Sequence, residues 1–422
     1  MARSFDIVLF GATGFTGRFA FEHLVRHCPL TLKLAIAGRN RVKLEAVRDL
    51  VASSLADGPR KTKTKEIPIL IADSSDQASL DSVAGSTKVI LSTVGPFALY
   101  GTPLVDACVR FGTHYVDSTG ETPWIKELIE KYEDAAIEKN VKIVPSCGFD
   151  SLPSDIGAFL IADHFAKQGK ATESVRSVVM EVKGGISGGT IATIANMIES
   201  SSFSKLAKSG DPYALISKTD VAKLPSPGNP VVLHYNSDVK RYETIFVMAP
   251  GNSAYVRRSY ALLNRAYGSK FKYTEALATN TNYVTALVQV LTMLSVMVSF
   301  LLPPVRYVVK RLVPQGSNSA SEAALRAGGG TIKYIGTAED GSKALAQYKI
   351  NVDVGYVGTG MMLAESAMCL ALDEVILETG KDHEVGSFGV KSGGILTAAS
   401  AMGLVIVERL KNVGIEISVG NV

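Results

Sequence analysis

The chain has 422 residues, 46% hydrophobic and 20% charged, so it can bury a sizeable core, and its composition excludes disorder. A formal net charge of +4, with no basic stripe interleaved with aromatics, excludes a nucleic-acid partner. Cys28, Cys108, Cys147 and Cys369 show no C-x-x-C spacing and the six histidines form no ligand cluster, so no metal site is expected. No signal-peptide apolar region precedes the first strand, and an intracellular, reducing compartment is expected.

In chain order, 6–10 reads as a buried strand and 16–27 as a helix. Strand 32–37, helix 41–55, strand 67–72 and helix 75–83 follow. Strand 89–94, helix 101–111, strand 114–116, helix 125–138 and strand 142–144 complete an alternation that implies right-handed βαβ units and a parallel sheet. Segment 57–65 is charged and reads as an exposed loop.

After about residue 153 the rhythm changes. A strand fits 178–182 and a helix 190–206, and 209–228 is irregular. Strands 331–338 and 344–352 form a hairpin around Glu339-Asp340-Gly341-Ser342. Helices fit 361–378 and 396–411, and a closing strand fits 415–419. The expected fold is α/β: an N-terminal Rossmann-like parallel sheet over 1–152 and a second, mixed α+β domain over 153–422. Helix 396–411 is able to pack back on the first domain.

The strongest motif runs from Asp6 to Gly17. A strand ends at Phe10, glycines stand at 11, 14 and 17, and a helix opens at once. Such glycines permit a tight turn and close approach of backbone to a pyrophosphate, and free amides at the helix start attract its charge. Gly11, Thr13, Gly14, Phe15, Thr16 and Gly17 are therefore the expected phosphate cradle. The second strand ends in Ala37-Gly38-Arg39, where an acidic residue would accept from a ribose 2′-hydroxyl in an NAD site. Arg39 cannot accept, but a guanidinium grips a 2′-phosphate bidentately, so NADP(H) is preferred over NAD(H). Asp73 is expected near the adenine.

Ligands of open parallel sheets bind beyond the carboxyl ends of the strands. Gly95 and Pro96 are placed there to let a nicotinamide approach the backbone. Tyr100, Glu121 and Asp150 are candidate proton donors or orienting groups, while Cys147 reads as a packing residue.

From Ala276 to Val305 no residue is charged, and 283–302 is almost wholly apolar. As a helix it would be about 30 Å long, the thickness of a bilayer core. Pro303-Pro304 ends it, and Arg306, Lys310 and Arg311 follow. Association of 283–312 with a membrane or lipid-droplet surface, burial in the second domain or a dimer interface, and a single span all remain open.

Further stretches stand out: Val94-Gly95-Pro96-Phe97 with Tyr100-Gly101, Tyr115-Val116-Asp117 with Gly120-Glu121, and Gly148-Phe149-Asp150-Ser151-Leu152-Pro153-Ser154-Asp155. Gly393-Gly394-Ile395-Leu396-Thr397 and Gly414-Ile415-Glu416-Ile417-Ser418-Val419 lie near the end. With the glycine turn, these motifs resemble the saccharopine dehydrogenase-like oxidoreductase family, whose eukaryotic members associate with lipid droplets and membranes, and are similar to mycobacterial trans-acting enoyl reductases. The resemblance implies an NADP(H)-dependent oxidoreductase, reducing an apolar lipid-type substrate at a membrane or lipid-droplet surface, and a homodimer. Two alternatives stay open: a catalytically silent nucleotide-binding protein on a lipid droplet or membrane, and a soluble, cytoplasmic amino-acid dehydrogenase of saccharopine type.

Overall fold

The computed structural model describes residues 3–183, 211–216, 224–227, 232–279, 281–299, 302, 304–305, 321–379 and 385–422. The expected helix 190–206 and the basic run 306–312 lie outside them. The chain folds as two compact units, Met1–Leu152 with Tyr356–Val413, and Pro153–Gly355 with Gly414–Val422.

The first unit carries a parallel sheet of seven strands: β1 (Phe5–Phe10), β2 (Leu34–Gly38), β3 (Ile69–Ile71), β4 (Thr87–Ser92), β5 (His114–Asp117), β6 (Lys142–Val144) and β13 (Gly394–Ile395). Their order is β13-β6-β5-β4-β1-β2-β3. Ile7, Val8 and Leu9 of β1 and Val89, Ile90 and Leu91 of β4 are all fully buried. That continuous apolar run is what a strand covered on both faces requires. Helices Phe15–His27, Arg41–Ser53, Gln77–Ser86, Thr102–Phe111 and Thr122–Glu138 connect the strands. Asn40 and Asp76 cap two of them by accepting from Lys43 N and Ala78 N. Segment 57–65, expected as a loop, is helical over Pro59–Lys65, because a proline in the first turn loses no helical hydrogen bond.

The domain boundary drawn from sequence needs correction. Not only 396–411 but all of Tyr356–Val413 belongs to the first unit. Helix Thr359–Leu372 lies flush on Phe15–His27, and a Cβ at Gly360 would sit 2.8 Å from Ala20 N. Buried Glu365 ties the layers: its Oε1 lies 2.7 Å from His23 Nε2, and its Oε2 3.2 Å from Arg409 Nη1. Arg409 also pairs with Asp373, the residue at which the expected helix 361–378 breaks into Thr359–Leu372 and Glu374–Thr379. The stretch Val354–Leu372 is long and apolar enough to cross a membrane, but 89% of it is buried inside the protein, as in a core helix.

The second unit carries a mixed sheet: β7 (Thr172–Lys183), β8 (Leu233–Asn236), β9 (Arg241–Ile245), β10 (Lys272–Ala278), β11 (Gly329–Ala338), β12 (Lys343–Ile350) and β14 (Glu416–Asn421). The order is β14-β12-β11-β7-β10-β9-β8, and among the described residues β7 and β10 alone pair in parallel. The expected hairpin is the β11–β12 pair. On β12, Ala344, Ala346, Tyr348 and Ile350 are buried and the residues between them are not, the alternation of a sheet with one covered face. Tyr334 donates to Pro153 O at 2.7 Å and so fastens helix Leu152–Ala166 to that face.

The apolar segment forms helix Tyr283–Ser299, packed against β8 and β9 through buried Ala286 and Val290. Its 17 described residues measure about 25 Å.

Glu275, on β10, is buried beneath the second sheet and accepts from Ser154 Oγ at 2.8 Å. Burial pushes its carboxyl up to about 7. Below its ordinary value of 4.5 both folded and unfolded chains hold the proton. Between 4.5 and about 7 only the unfolded chain releases it, so stability falls as pH rises through that window. Glu275→Gln is expected to make the fall of the melting temperature between pH 4.5 and 7 shallower, by removing a loss on the order of 3 kcal/mol and leaving those of Asp117 and Asp150. Scanning calorimetry of both proteins across the window checks it, and parallel profiles would refute it.

Candidate functional site

In the first sheet the strand order reverses between β1 and β4, and open α/β sheets bind ligands in the crevice at such a switch. The glycine turn stands there. Gly11 has φ of +102°, and its amide donates to Ala37 O at 3.0 Å. Gly14 N donates to Gly11 O at 2.9 Å, and Thr93 Oγ1, just past β4, donates to the same carbonyl at 3.0 Å. A Cβ at Gly17 would lie 2.2 Å from Gly11 O, so any other residue there would push the helix off the turn. Gly14 caps helix Phe15–His27 without a side chain, and no acidic residue occupies the first turn. The amides of Phe15, Thr16 and Gly17 have no intrahelical acceptor and share the positive end of the helix dipole. The arrangement fits a pyrophosphate.

Thr13 and Gly14 are exposed and Thr16 half-buried at this turn. The Phe15 ring packs edge-on against Tyr356, with centroids 4.6 Å apart. Only its backbone is therefore offered to a ligand. Arg39 is exposed just beyond β2, with no hydrogen bond or ion pair among the described residues. Asp73 lies past the neighbouring β3, and its Oδ1 accepts from Ser75 N at 2.9 Å and Ser75 Oγ at 2.8 Å. Those bonds, with the Arg39 charge nearby, hold its carboxyl below the usual range.

Gly95-Pro96, a cis peptide, leads from β4 into the short helix Phe97–Tyr100. Glu121 grips the start of that helix: Oε1 accepts from Phe97 N at 2.8 Å and Oε2 from Ala98 N at 3.0 Å. Both oxygens of this buried carboxylate are thus engaged by the backbone, which fits the orienting role among those expected of it. Phe97 stacks on Trp124, whose indole donates to Thr102 Oγ1 at 2.9 Å. Over this rigid base Leu99 and Tyr100 are 69% and 44% exposed.

Asp117, at the end of β5, carries a structural role that the sequence reading did not single out. Its Oδ1 accepts from Thr119 N at 2.8 Å and Ser146 N at 3.0 Å, and its Oδ2 from Tyr115 OH at 2.8 Å. Burial pushes it up to about 7. Ser146 is thereby held at φ +60°, a left-handed conformation uncommon for serine, and its Oγ donates to Thr119 O at 2.6 Å. The loop continues through Cys147, a buried residue whose thiol faces Val144 O at 3.3 Å, to Phe149, whose amide donates to Thr359 Oγ1 at 3.2 Å.

Asp150 follows. Its Oδ2 would lie 3.7 Å from a Cβ at Gly120, which places the carboxyl over the loop after β5. Among the described residues it has no hydrogen-bond partner, and burial pushes it up to about 6. Unlike that of Glu121, its carboxyl is uncommitted among the described residues. Among the described residues no group of His, Cys, Asp and Glu could hold a metal.

Comparison with known proteins agrees with this geometry. Residues 7–144 match the family described as saccharopine dehydrogenase NADP binding domain. A protein of Mycobacterium tuberculosis is 34% identical over 98% of this chain and 97% of its own. The trans-acting enoyl reductases of Mycobacterium bovis and Mycobacterium leprae are each 32% identical with the same coverage. A saccharopine dehydrogenase (L-Glu forming) from Saccharomyces cerevisiae aligns over 99% of this chain and 100% of its own, at 13% identity and a TM-score of 0.46. With a glycine turn built for a dinucleotide and full-length relatives at this level of identity, the chain belongs to the saccharopine dehydrogenase-like family of NAD(P)-dependent oxidoreductases.

Proposed function

We propose that this protein is an NADPH-dependent reductase of a carbon–carbon double bond in an apolar, acyl-type substrate, working at a lipid surface. The observation that carries the cofactor choice is Arg39, an exposed guanidinium with no hydrogen bond or ion pair among the described residues and Asp73 as a nearby charge, at the strand end where a 2′-phosphate would lie. Bound there, NADPH supplies a hydride to an electron-poor carbon. The chain's own contribution is to hold the pyrophosphate on the Phe15–Gly17 amides and to keep a proton on Asp150 for the neighbouring carbon. The names of the enoyl reductase relatives support that reaction class.

The lipid surface rests on helix Tyr283–Ser299. Val288 and Leu291 are each 57% exposed, and Val284 and Val298 are exposed with them. Ala286 and Val290 hold the opposite side to the sheet edge, which supports a helix lying along a surface. Burying one such exposed side chain in an apolar phase contributes about 1.5–3 kcal/mol.

Three outcomes follow from this reading. Arg39→Ala is expected to weaken NADPH binding by about 1.5–3 kcal/mol, tenfold or more, and to leave NADH binding unchanged. Calorimetric titration with both coenzymes checks this, and equal losses for the two would overturn the selectivity. With a trans-2-enoyl thioester, turnover should fall as pH rises past about 6, where Asp150 loses its proton. Asp150→Asn should remove that limb and slow reduction about 100-fold or more. NADPH that binds without ever being oxidised would leave a nucleotide-binding protein only. The full chain should float with phosphatidylcholine vesicles, and Val288→Lys with Leu291→Lys should abolish flotation while NADPH binding stays intact. Unaltered flotation would sink the surface assignment.

A further inference from the structure

The second sheet carries a polar groove of about 340 Å³ on the side chains that alternate with Tyr273 and Glu275. The register lines its floor in two rows. Thr337, Ser174 and Lys272 stand side by side on β11, β7 and β10, and Ile335, Arg176 and Thr274 form the next row. His234 of β8 and Asp238, in the turn after it, form the far wall.

The charges are unequally matched. Arg176 pairs with fully buried Glu243, which Asn236 also contacts. Asp238 is neutralised by Lys343, 2.9 Å away. Lys272 is exposed and has no ion pair among the described residues, so a positive charge is left facing three hydroxyls. Such donors without a matching acceptor suit a tetrahedral oxyanion, since one ammonium and several O–H groups can each take a separate phosphate oxygen. The volume accommodates a phosphate ester of a small polyol.

We propose that this groove binds a phosphate-bearing group, with Lys272 as its charge-matching ligand and Ser174, Thr274 and Thr337 as hydroxyl donors. Two sources share that chemistry, a free phosphate ester and a lipid headgroup. The groove borders the apolar helix through a run of rings: Tyr235, which lines it, lies 5.1 Å from Tyr242, and Tyr242 lies 5.6 Å from Tyr283. The headgroup source rests on the lipid-surface reading above, and the free ester does not.

The test uses the full chain, titrated calorimetrically with inorganic phosphate and glycerol 3-phosphate, and floated with vesicles of phosphatidylcholine alone or with added phosphatidic acid. Lys272→Gln should weaken glycerol 3-phosphate binding about tenfold or more. Lys126→Gln, an exposed lysine of the first unit, should not, and NADPH binding should stay unchanged in both. Enhanced flotation on phosphatidic acid that Lys272→Gln removes identifies the headgroup. Binding of glycerol 3-phosphate with equal flotation on both vesicles identifies the free ester. Binding without any flotation overturns the lipid-surface reading alone. No heat with either phosphate together with no gain on phosphatidic acid, or a Lys272→Gln protein indistinguishable from the native one, overturns the groove assignment.

Discussion

Amides at the start of a helix attract a phosphate only if the helix cannot back away from the turn that aims them. Here that constraint is the contact of Gly17 with the Gly11 carbonyl, too close for any side chain, with Thr93 Oγ1 donating to the same oxygen. The far side of the helix is closed as tightly, by Gly360 against Ala20. Charge reinforces the packing. Glu365 is buried between His23 and Arg409, and removing either partner would leave one of its oxygens without a hydrogen bond. A helix from late in the chain is therefore part of the phosphate site, although none of its residues faces the phosphates.

The carboxylates beyond β5 and β6 show how one residue type serves different ends. Glu121 is saturated by two amides and fixes the Phe97–Tyr100 helix. Asp117 is saturated by two amides and a phenol and bends the loop at Ser146. Both are built into the backbone. Asp150 is carried on the loop that Asp117 and Thr359 shape, and its own oxygens have no partner among the described residues. A half-buried acid without hydrogen bonds is destabilising for a fold, and such a cost is retained at positions that handle protons.

The first sheet was readable from sequence because parallel strands buried on both faces are unbroken apolar runs. Ile7–Leu9 and Val89–Leu91 could hardly be anything else between helices. The glycine spacing and Arg39 were readable for the same local reason. What escaped depends on distant partners. β8 and β9 are short, polar residues interrupt β8, β9 and β10, and the three acquire their pattern only once paired. Helices Leu152–Ala166 and Ala249–Leu262 went unread because buried residues lie nearly all round them, so no amphipathic stripe marks them. The roles of Glu121 and Asp117 were invisible because an acidic side chain bonded to amides has the same letter as one bonded to nothing. The return of Tyr356–Val413 to the first unit is likewise a matter of contact between helices far apart in the chain.

The apolar helix shows how packing narrows what composition leaves open. An uncharged stretch of this length is compatible with a span, a core helix or a surface helix. Burial of Ala286 and Val290 against β8 and β9 fixes the axis along the sheet edge. A core helix would then cover its other side with protein, yet Val284, Val288, Leu291 and Val298 remain open. Four such side chains on one short helix are a cost to a chain in water, which an apolar phase alongside the sheet edge removes. On the proposed reading, the packing of Ala286 and Val290 keeps the edge strand β8, and the groove it borders, at the level of the headgroups.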